Sequence, residues 1–399
     1  MIKKSKQVFV DFASTTPTDE KVLKAMMPFF RHDFSNPSSL HGGGVIAKKA
    51  IEIARKNVAK IMHCRSEEII FTGSGTESDN LAIIGVARAA LVSKRFDAPK
   101  ILTLAIEHLA ITRACEVLEK EGIKTEYIPV DENGKVKMAE FEKMLDENVV
   151  LVSVMHSNNE IGTLEPVHDI SRKINAFKAE VGRNVDDYPY FHVDACQSPN
   201  YFDVSKDKLG ADLITLDGSK VYGPKGVGLL FKKRRVPLEP IIVGSHQEGG
   251  FRAGTENVAG IVGLVKALEI SDRTRAKESE RALKLQKYFW AGLEKIKKET
   301  GREIKLNGHP IERLPNNVNI CIPGLNTEFT LFQLDAKGIC VSAAATCKSL
   351  ERRLKSYVLE AVGSPECAES SLRFTFGRTT TRAEVDYCLK VLGKILKSK

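Results

Sequence analysis

Residues 212–231 read DLITLDGSKVYGPKGVGLLF, and the fold is decided by how this stretch is read. Asp212 to Leu216 is a short apolar run of the kind that forms a buried strand. A second run, Val227 to Phe231, resumes after a segment broken by Gly218, Gly223, Pro224, Gly226 and Gly228. Glycine and proline at that density make tight turns. Lys220 and Lys225 stand among them. Three readings are open to a lysine beyond a strand end: a solvated charge, a phosphate ligand, or an amine held out of water. In the last case a lowered pKa turns the amine into a nucleophile.

The same alternation extends from about 69 to 231. EIIFT (68–72) precedes a helix expected to open at Thr76. KILTLA (100–105) precedes LAITRACEVLEKEG, and VVLVSVM (149–155) precedes PVHDISRKINAFK. YFHVD (190–194) follows a polar loop at 179–188. Strand–helix alternation predicts an α/β fold with a mainly parallel sheet covered on both faces, which binds ligands beyond the carboxyl ends of its strands. After about 260 the pattern changes. Ala282, Leu285, Phe289, Leu293 and Ile296 mark a long amphipathic helix, NNVNICI and SLRFTF read as strands, and RAEVDYCLKVLGKIL reads as a closing helix. This is a smaller α+β domain.

The chain has 399 residues, enough for two domains, and 42% hydrophobic with 28% charged residues is the composition of a globular protein. The net charge of +9 is diffuse. Its densest run, Lys232 to Arg235, is expected to be a solvated face, and an acidic protein partner accounts for the charge better than nucleic acid, for which no motif is present. No stretch is apolar enough for a membrane span, and the basic start MIKKSKQVFVDF lacks the apolar core of a signal peptide. The eight cysteines include no CxxC pair, so neither a zinc ribbon nor a disulfide scaffold is expected. Most of them are expected to be reduced core thiols of a cytoplasmic protein. Cys340 reads as core, and Cys367 as an exposed free thiol in a polar loop.

GSGTESDN (73–80) follows a strand. Gly73 and Gly75 allow close backbone approach, Thr76 and Asp79 have capping-box spacing, and the N–H groups of a helix start suit an anion such as phosphate. There is no GxxxxGK[ST], which argues against a P-loop nucleotidase. Asp194 closes the strand YFHVD, with Gln197 just beyond. The acid suits a protonated ring nitrogen as well as a turn cap. HVD brings no third ligand for a metal, so none is expected. A phosphate cradle, a strand-end acid and Lys220 are together the equipment for pyridoxal phosphate. The lysine holds the aldehyde, the acid keeps the ring nitrogen protonated, and the helix start holds the phosphate.

Over nearly its whole length the chain resembles the cysteine desulfurases, within the class V aminotransferase group of pyridoxal-phosphate enzymes. The segments that carry the resemblance are DFASTTP, NPSSLH, GSGTESDNLAI, EHLAI, HSNNEIGT, HVDACQ, SKVYGPKGVG, RAGTENVAG and SLRFTFGR, in the family's order. The resemblance implies a fold-type-I transferase with a large domain (15–260) built on a seven-stranded sheet. A small domain (1–14 and 261–399) would carry a cysteine loop at about 342–356. It implies Lys220 as the Schiff-base lysine, Asp194 at the pyridine nitrogen, His108 stacked on the ring and Gln197 at the phenolic oxygen. Gly75, Thr76 and Ser219 would contact the phosphate, joined by Thr255 from the other subunit of a homodimer whose active site is shared. Asn36, Asn159 and Arg373 would hold the substrate. Cys347 stands as far before Arg373 as the long-loop branch of the family requires, which makes it the sulfur acceptor. Lys225 is then structural or on the surface.

The activity implied is removal of sulfur from L-cysteine, giving L-alanine and an enzyme persulfide for iron–sulfur assembly or another sulfur-acceptor protein. The alternatives are a selenocysteine lyase, a class V aminotransferase, or a desulfurase fold that only binds a partner. The chain departs from the family pattern twice. SAAATC precedes Cys347 where SSGSAC is usual, and DGSK stands where the family has serine, glycine, histidine and lysine. Asp217 thus falls beside the expected phosphate. It can turn away to accept backbone N–H bonds, be protonated, or pair with Arg252, and the first and last are favoured.

Overall fold

The computed structural model describes residues 7–343 and 355–397. In chain order its strands are β1 (Val8–Phe9), β2 (Ile69–Thr72), β3 (Lys100–Leu104), β4 (Lys124–Ile128), β5 (Val149–Ser153), β6 (Tyr190–Asp194), β7 (Leu213–Asp217), β8 (Gly228–Lys232), β9 (Lys305–Leu306), β10 (Asn317–Cys321), β11 (Ile339–Cys340) and β12 (Ser371–Thr375). β2 to β8 form a seven-stranded sheet in the order β2-β8-β7-β6-β5-β3-β4. β8 is antiparallel to both of its neighbours, and the remaining ladders are parallel. The carboxyl ends of β2, β3, β5, β6 and β7 therefore share one edge. This is the α/β fold read from the sequence.

Side chains alternate between the two faces of the sheet, as a period of two requires. Ile69, Phe71, Leu102, Leu104, Ile214, Leu216, Leu229 and Phe231 belong to one core. Ile70, Ile101, Leu213 and Leu230 belong to the other. Burial on both faces explains why these strands are apolar throughout. β4, KTEYI, was not read from the sequence. It is an edge strand with Lys124 and Tyr127 exposed, and its Lys124 and Glu126 pair with each other, so its apolar signal is thin.

The helices are α1 (Glu20–Met26), α2 (Pro28–Arg31), α3 (Gly42–Ile61), α4 (Gly75–Ser93), α5 (Leu109–Glu119), α6 (Met138–Met144), α7 (Val167–Glu180), α8 (Lys206–Leu209), α9 (Val258–Thr300), α10 (Thr327–Asp335), α11 (Tyr357–Ala361), α12 (Pro365–Ala368) and α13 (Arg382–Lys397). α9 begins with Val258, Ile261, Leu264 and Leu268 in the core against the large sheet. It continues past residue 260 without interruption and ends with Phe289, Leu293 and Ile296 in a third core, which also holds Val318, Ile320, Leu372, Phe374 and Leu392. β9, β10 and β12 form an antiparallel sheet over that core, and β1 pairs with β11.

Three local expectations are corrected. Cys367 is not an exposed thiol: it is buried and forms a disulfide with Cys321, with Cα atoms 5.2 Å apart. β10 and α12 bring together two cysteines far apart in sequence, which spacing alone does not reveal. The pair is also an exception to the expected reduced thiols. Cys340 is only partly buried. Lys232 is buried rather than solvated. Its Nζ donates to the carbonyl of Val236 at 2.8 Å, and burial lowers its pKa to about 8. Among the described residues, no helix is long and apolar enough to cross a membrane, and no cluster of His, Cys, Asp or Glu could hold a metal ion.

Candidate active site

The shared carboxyl edge opens into a cavity of about 410 Å³ whose lining includes Ala13, Ser14, Gly75, His108, Asn159, Asp194, Lys220, Tyr357 and Arg373. Five strands of the sheet deliver its walls. β2 runs into the start of α4, β3 into His108, β5 into Asn159, β6 ends on Asp194, and β7 ends on Asp217 just before Lys220.

Lys220 closes a 3-10 turn spanning Gly218–Lys220. Its Nζ donates to the carbonyls of Ala13 at 3.1 Å and Ser14 at 2.5 Å. Just beyond the turn, Tyr222 lies at φ 63, a strained angle for a bulky residue. Tyr222 is held there from both ends. Its N–H donates to Thr16 Oγ1 at 2.8 Å, its hydroxyl accepts from Arg378 N at 2.6 Å, and the Arg378 guanidinium lies 4.1 Å over the ring. Lys225 is on the outside of the same loop and donates to Thr16 O, so it takes no part in the cavity.

His108 is the N-cap of α5, and its Nδ1 accepts from Ala110 N at 3.2 Å. It therefore caps a helix and lines the cavity at once. Burial lowers its pKa, opposed by Asp194. With Nδ1 an acceptor, the neutral ring carries its proton on Nε2. Asp194 Oδ1 accepts from Cys196 N at 2.9 Å, and Gln197 Nε2 donates to Ala13 O at 3.1 Å. Beneath them His192 is fully buried between Ser153 and Thr215, at 2.9 and 3.0 Å, and burial lowers its pKa to about 3. A neutral imidazole bonded on both nitrogens to hydroxyls is a core group. Asp79 is buried beside it, and desolvation with the nearby Asp194 raises its pKa well above the usual carboxylate range.

On the opposite wall Arg373 lies in β12, buried to 3% exposure. One terminal nitrogen donates to Asn159 O at 2.8 Å, and the other donates to Asp11 Oδ1 at 2.9 Å. Arg373 Nε and Asn159 Oδ1 are buried without a hydrogen-bond partner among the described residues. Next to Asn159, Glu160 Oε2 accepts from Ser356 Oγ at 2.6 Å. Ser356 caps α11, and the Tyr357 hydroxyl donates to Glu107 O at 2.7 Å.

The remaining end of the cavity is the start of α4. The helix begins at Gly75, and its cap is Ser74, whose Oγ accepts from Glu77 N at 3.1 Å. The expected Thr76–Asp79 capping box is thus replaced by Ser74, and Asp79 turns inward. Asp217 Oδ2 accepts from Gly75 N at 2.8 Å, and Oδ1 accepts from Ser219 N at 2.6 Å and Ser219 Oγ at 2.5 Å. Of the three arrangements open to Asp217, this is the acceptance of N–H bonds, but into the helix start rather than away from it. Arg252 pairs with Glu77 instead, Nε to Oε1 at 2.9 Å.

The cavity therefore brings together Gly75, Thr76, His108, Asn159, Asp194, Gln197, Ser219, Lys220 and Arg373. Asn36 and Thr255 are exposed and do not line it, and Asn36 Oδ1 accepts from Ser38 N at 2.9 Å. Cys347 lies outside the described residues. Sequence reasoning missed Asp11, Cys196 and Tyr357. The first two lie inside segments already singled out, DFASTTP and HVDACQ, but nothing local marks that Cys196 lines the cavity or that Asp11 meets Arg373.

The aminotransferase class-V family profile matches residues 8–388. The cysteine desulfurase IscS of Dictyoglomus turgidum is 40% identical over 393 residues, covering 98% of this chain and 95% of that protein. A solved NifS-like protein superposes with a TM-score of 0.89 at 34% identity, covering 99% of this chain and 100% of the other. A structure of SspA in complex with cysteine superposes with a TM-score of 0.75 at 29% identity, covering 93% of this chain and 99% of that one.

Proposed function

We propose, from the premise that this chain belongs to the aminotransferase class-V family and is a cysteine desulfurase, that it works with pyridoxal 5'-phosphate, converting L-cysteine to L-alanine and leaving the sulfur on Cys347. The observation that carries the reading is the convergence of the Lys220 amine, the His108 imidazole and the Arg373 guanidinium on one cavity.

The residues fit the cofactor. An amine for the aldehyde, an acid at Asp194 for the ring nitrogen and N–H groups at a helix start all line one space. Gly75 fits a close approach, since a Cβ there would lie 3.0 Å from Cys196 Sγ. Gly75, Thr76 and Ser219 would hold the phosphate, Gln197 the phenolic oxygen, and His108 the ring face. When bound, the cofactor supplies an electron sink conjugated to the α-carbon of the amino acid.

The chain's own residues do the rest. Arg373 and Asn159 hold the substrate carboxylate, and the unpartnered Nε and Oδ1 support that role. Lys220 takes and returns protons at Nζ, and His108 holds one at Nε2. The Cys347 thiolate attacks the substrate sulfur. An S–S bond forms, the C–S bond breaks, and the carbon keeps the electron pair and takes up a proton. The sum is thiol plus cysteine giving persulfide plus alanine, with no outside oxidant.

The division into a large domain (15–260) and a small one (1–14 and 261–399) is supported by the separate core around β10 and β12. A homodimer is supported by exposed apolar side chains between residues 23 and 53, with Phe34 72% and Leu40 98% exposed. Thr255 and Asn36 would then complete the partner's cavity. The cytoplasm is the proposed location, and a sulfur-acceptor protein is the proposed partner. Incubation of the purified protein with pyridoxal phosphate, L-cysteine and a reductant should yield alanine and sulfide in equal amounts. A keto acid in their place would make it an aminotransferase.

A further inference from the structure

Asp217 stands at the end of β7 with both carboxylate oxygens engaged by the donors that line the anion end of the cavity. Oδ2 accepts from Gly75 N at 2.8 Å, and Oδ1 accepts from Ser219 N and Oγ at 2.6 and 2.5 Å. Gly75 is the first residue of the 19-residue α4, so its N–H has no partner within the helix and lies at the positive end of the helix dipole. A backbone N–H offers one hydrogen, and here it is taken. Glycine favours the approach, because a Cβ at residue 75 would crowd Asp217 Oδ2 at 3.1 Å. Arg252 pairs with Glu77 and not with Asp217.

We propose that Asp217 is an internal anion that occupies the phosphate end of the cofactor cavity, and that its carboxylate has to leave Gly75 and Ser219 before a phosphate can bind them. This rests on the pyridoxal-phosphate reading. It makes Asp217 a specificity-determining residue: the chain gains less from the phosphate of its cofactor than its helix start would otherwise give.

The test compares two ligands with the same ring, pyridoxal 5'-phosphate and pyridoxal, on the full-length protein freed of cofactor. Binding is followed by calorimetry and by the visible absorbance band. The proteins are wild type, Asp217→Ser and Asp217→Asn. The asparagine keeps the shape and an acceptor oxygen, so it also covers the case in which the serine variant folds poorly. Both variants should raise the preference for the phosphorylated ligand at least about tenfold, with pyridoxal affinity nearly constant. An unchanged or reduced preference, with the phosphorylated ligand still bound, would overturn the inference and leave the cofactor reading standing. Failure of all three proteins to bind it would overturn both.

Discussion

At one end of the cavity Asp11 accepts a hydrogen bond from a terminal nitrogen of Arg373; at the other Asp217 accepts from Gly75 N and from Ser219. The two carboxylates look alike, but their donors differ. A guanidinium has five N–H groups in a fixed fork, so Asp11 and Asn159 O orient it and still leave Nε without a partner. The N–H of Gly75 has a single hydrogen. An acid beside a many-armed donor supports ligand binding, whereas the same acid on a one-armed donor competes with it.

Lys220 lies between the two ends of the cavity. Lys220→Ala should abolish turnover and the visible band formed with pyridoxal phosphate, while Lys225→Ala, whose side chain lies outside the cavity, should leave both largely intact. An active Lys220→Ala protein would remove the amine from the account.

At the substrate end, Arg373→Lys keeps the charge but loses the fork. It should lower kcat/KM for L-cysteine by roughly 30-fold, corresponding to about 2 kcal/mol, with cofactor absorbance unchanged. Asp11→Asn should act more mildly through the same guanidinium. KM should rise by about threefold to tenfold with kcat nearly constant. A fall in KM would mean that Asp11 competes with substrate, and the contrast between the two ends would disappear.

The smallest effect belongs to the cofactor-free protein. Asp217 satisfies an orphan donor of α4, so Asp217→Ser should lower the unfolding free energy in urea by about 1 kcal/mol. A more stable variant would mean that repulsion among Asp217, Asp194 and Asp79 outweighs the capping bonds.

Most of the sheet was legible because its strands are buried on both faces and read as continuous apolar runs between glycine turns. β4 was not, because an edge strand carrying Lys124 and Glu126 has little apolar content. Lys220 and Asp194 could be proposed because strand-end positions on a parallel sheet point to the ligand edge, whereas His108 was reached only through the family resemblance. Asp11 and Tyr357 could not, since their roles arise from contacts across the fold, with Arg373 and with Glu107. The Cys321–Cys367 disulfide escaped for the same reason. Asp217 stood out from the residues usual beside the lysine, but its direction, into the helix start, depends on where α4 begins.

In the proposed reaction sulfur leaves cysteine for Cys347. A single turnover of the cofactor-loaded protein with sulfur-labelled L-cysteine, without reductant, followed by peptide mass spectrometry, tests it most directly. The account predicts one labelled sulfur on the peptide containing Cys347, matched by one alanine. Label on Cys196 or Cys340, or alanine without any bound sulfur, would contradict it.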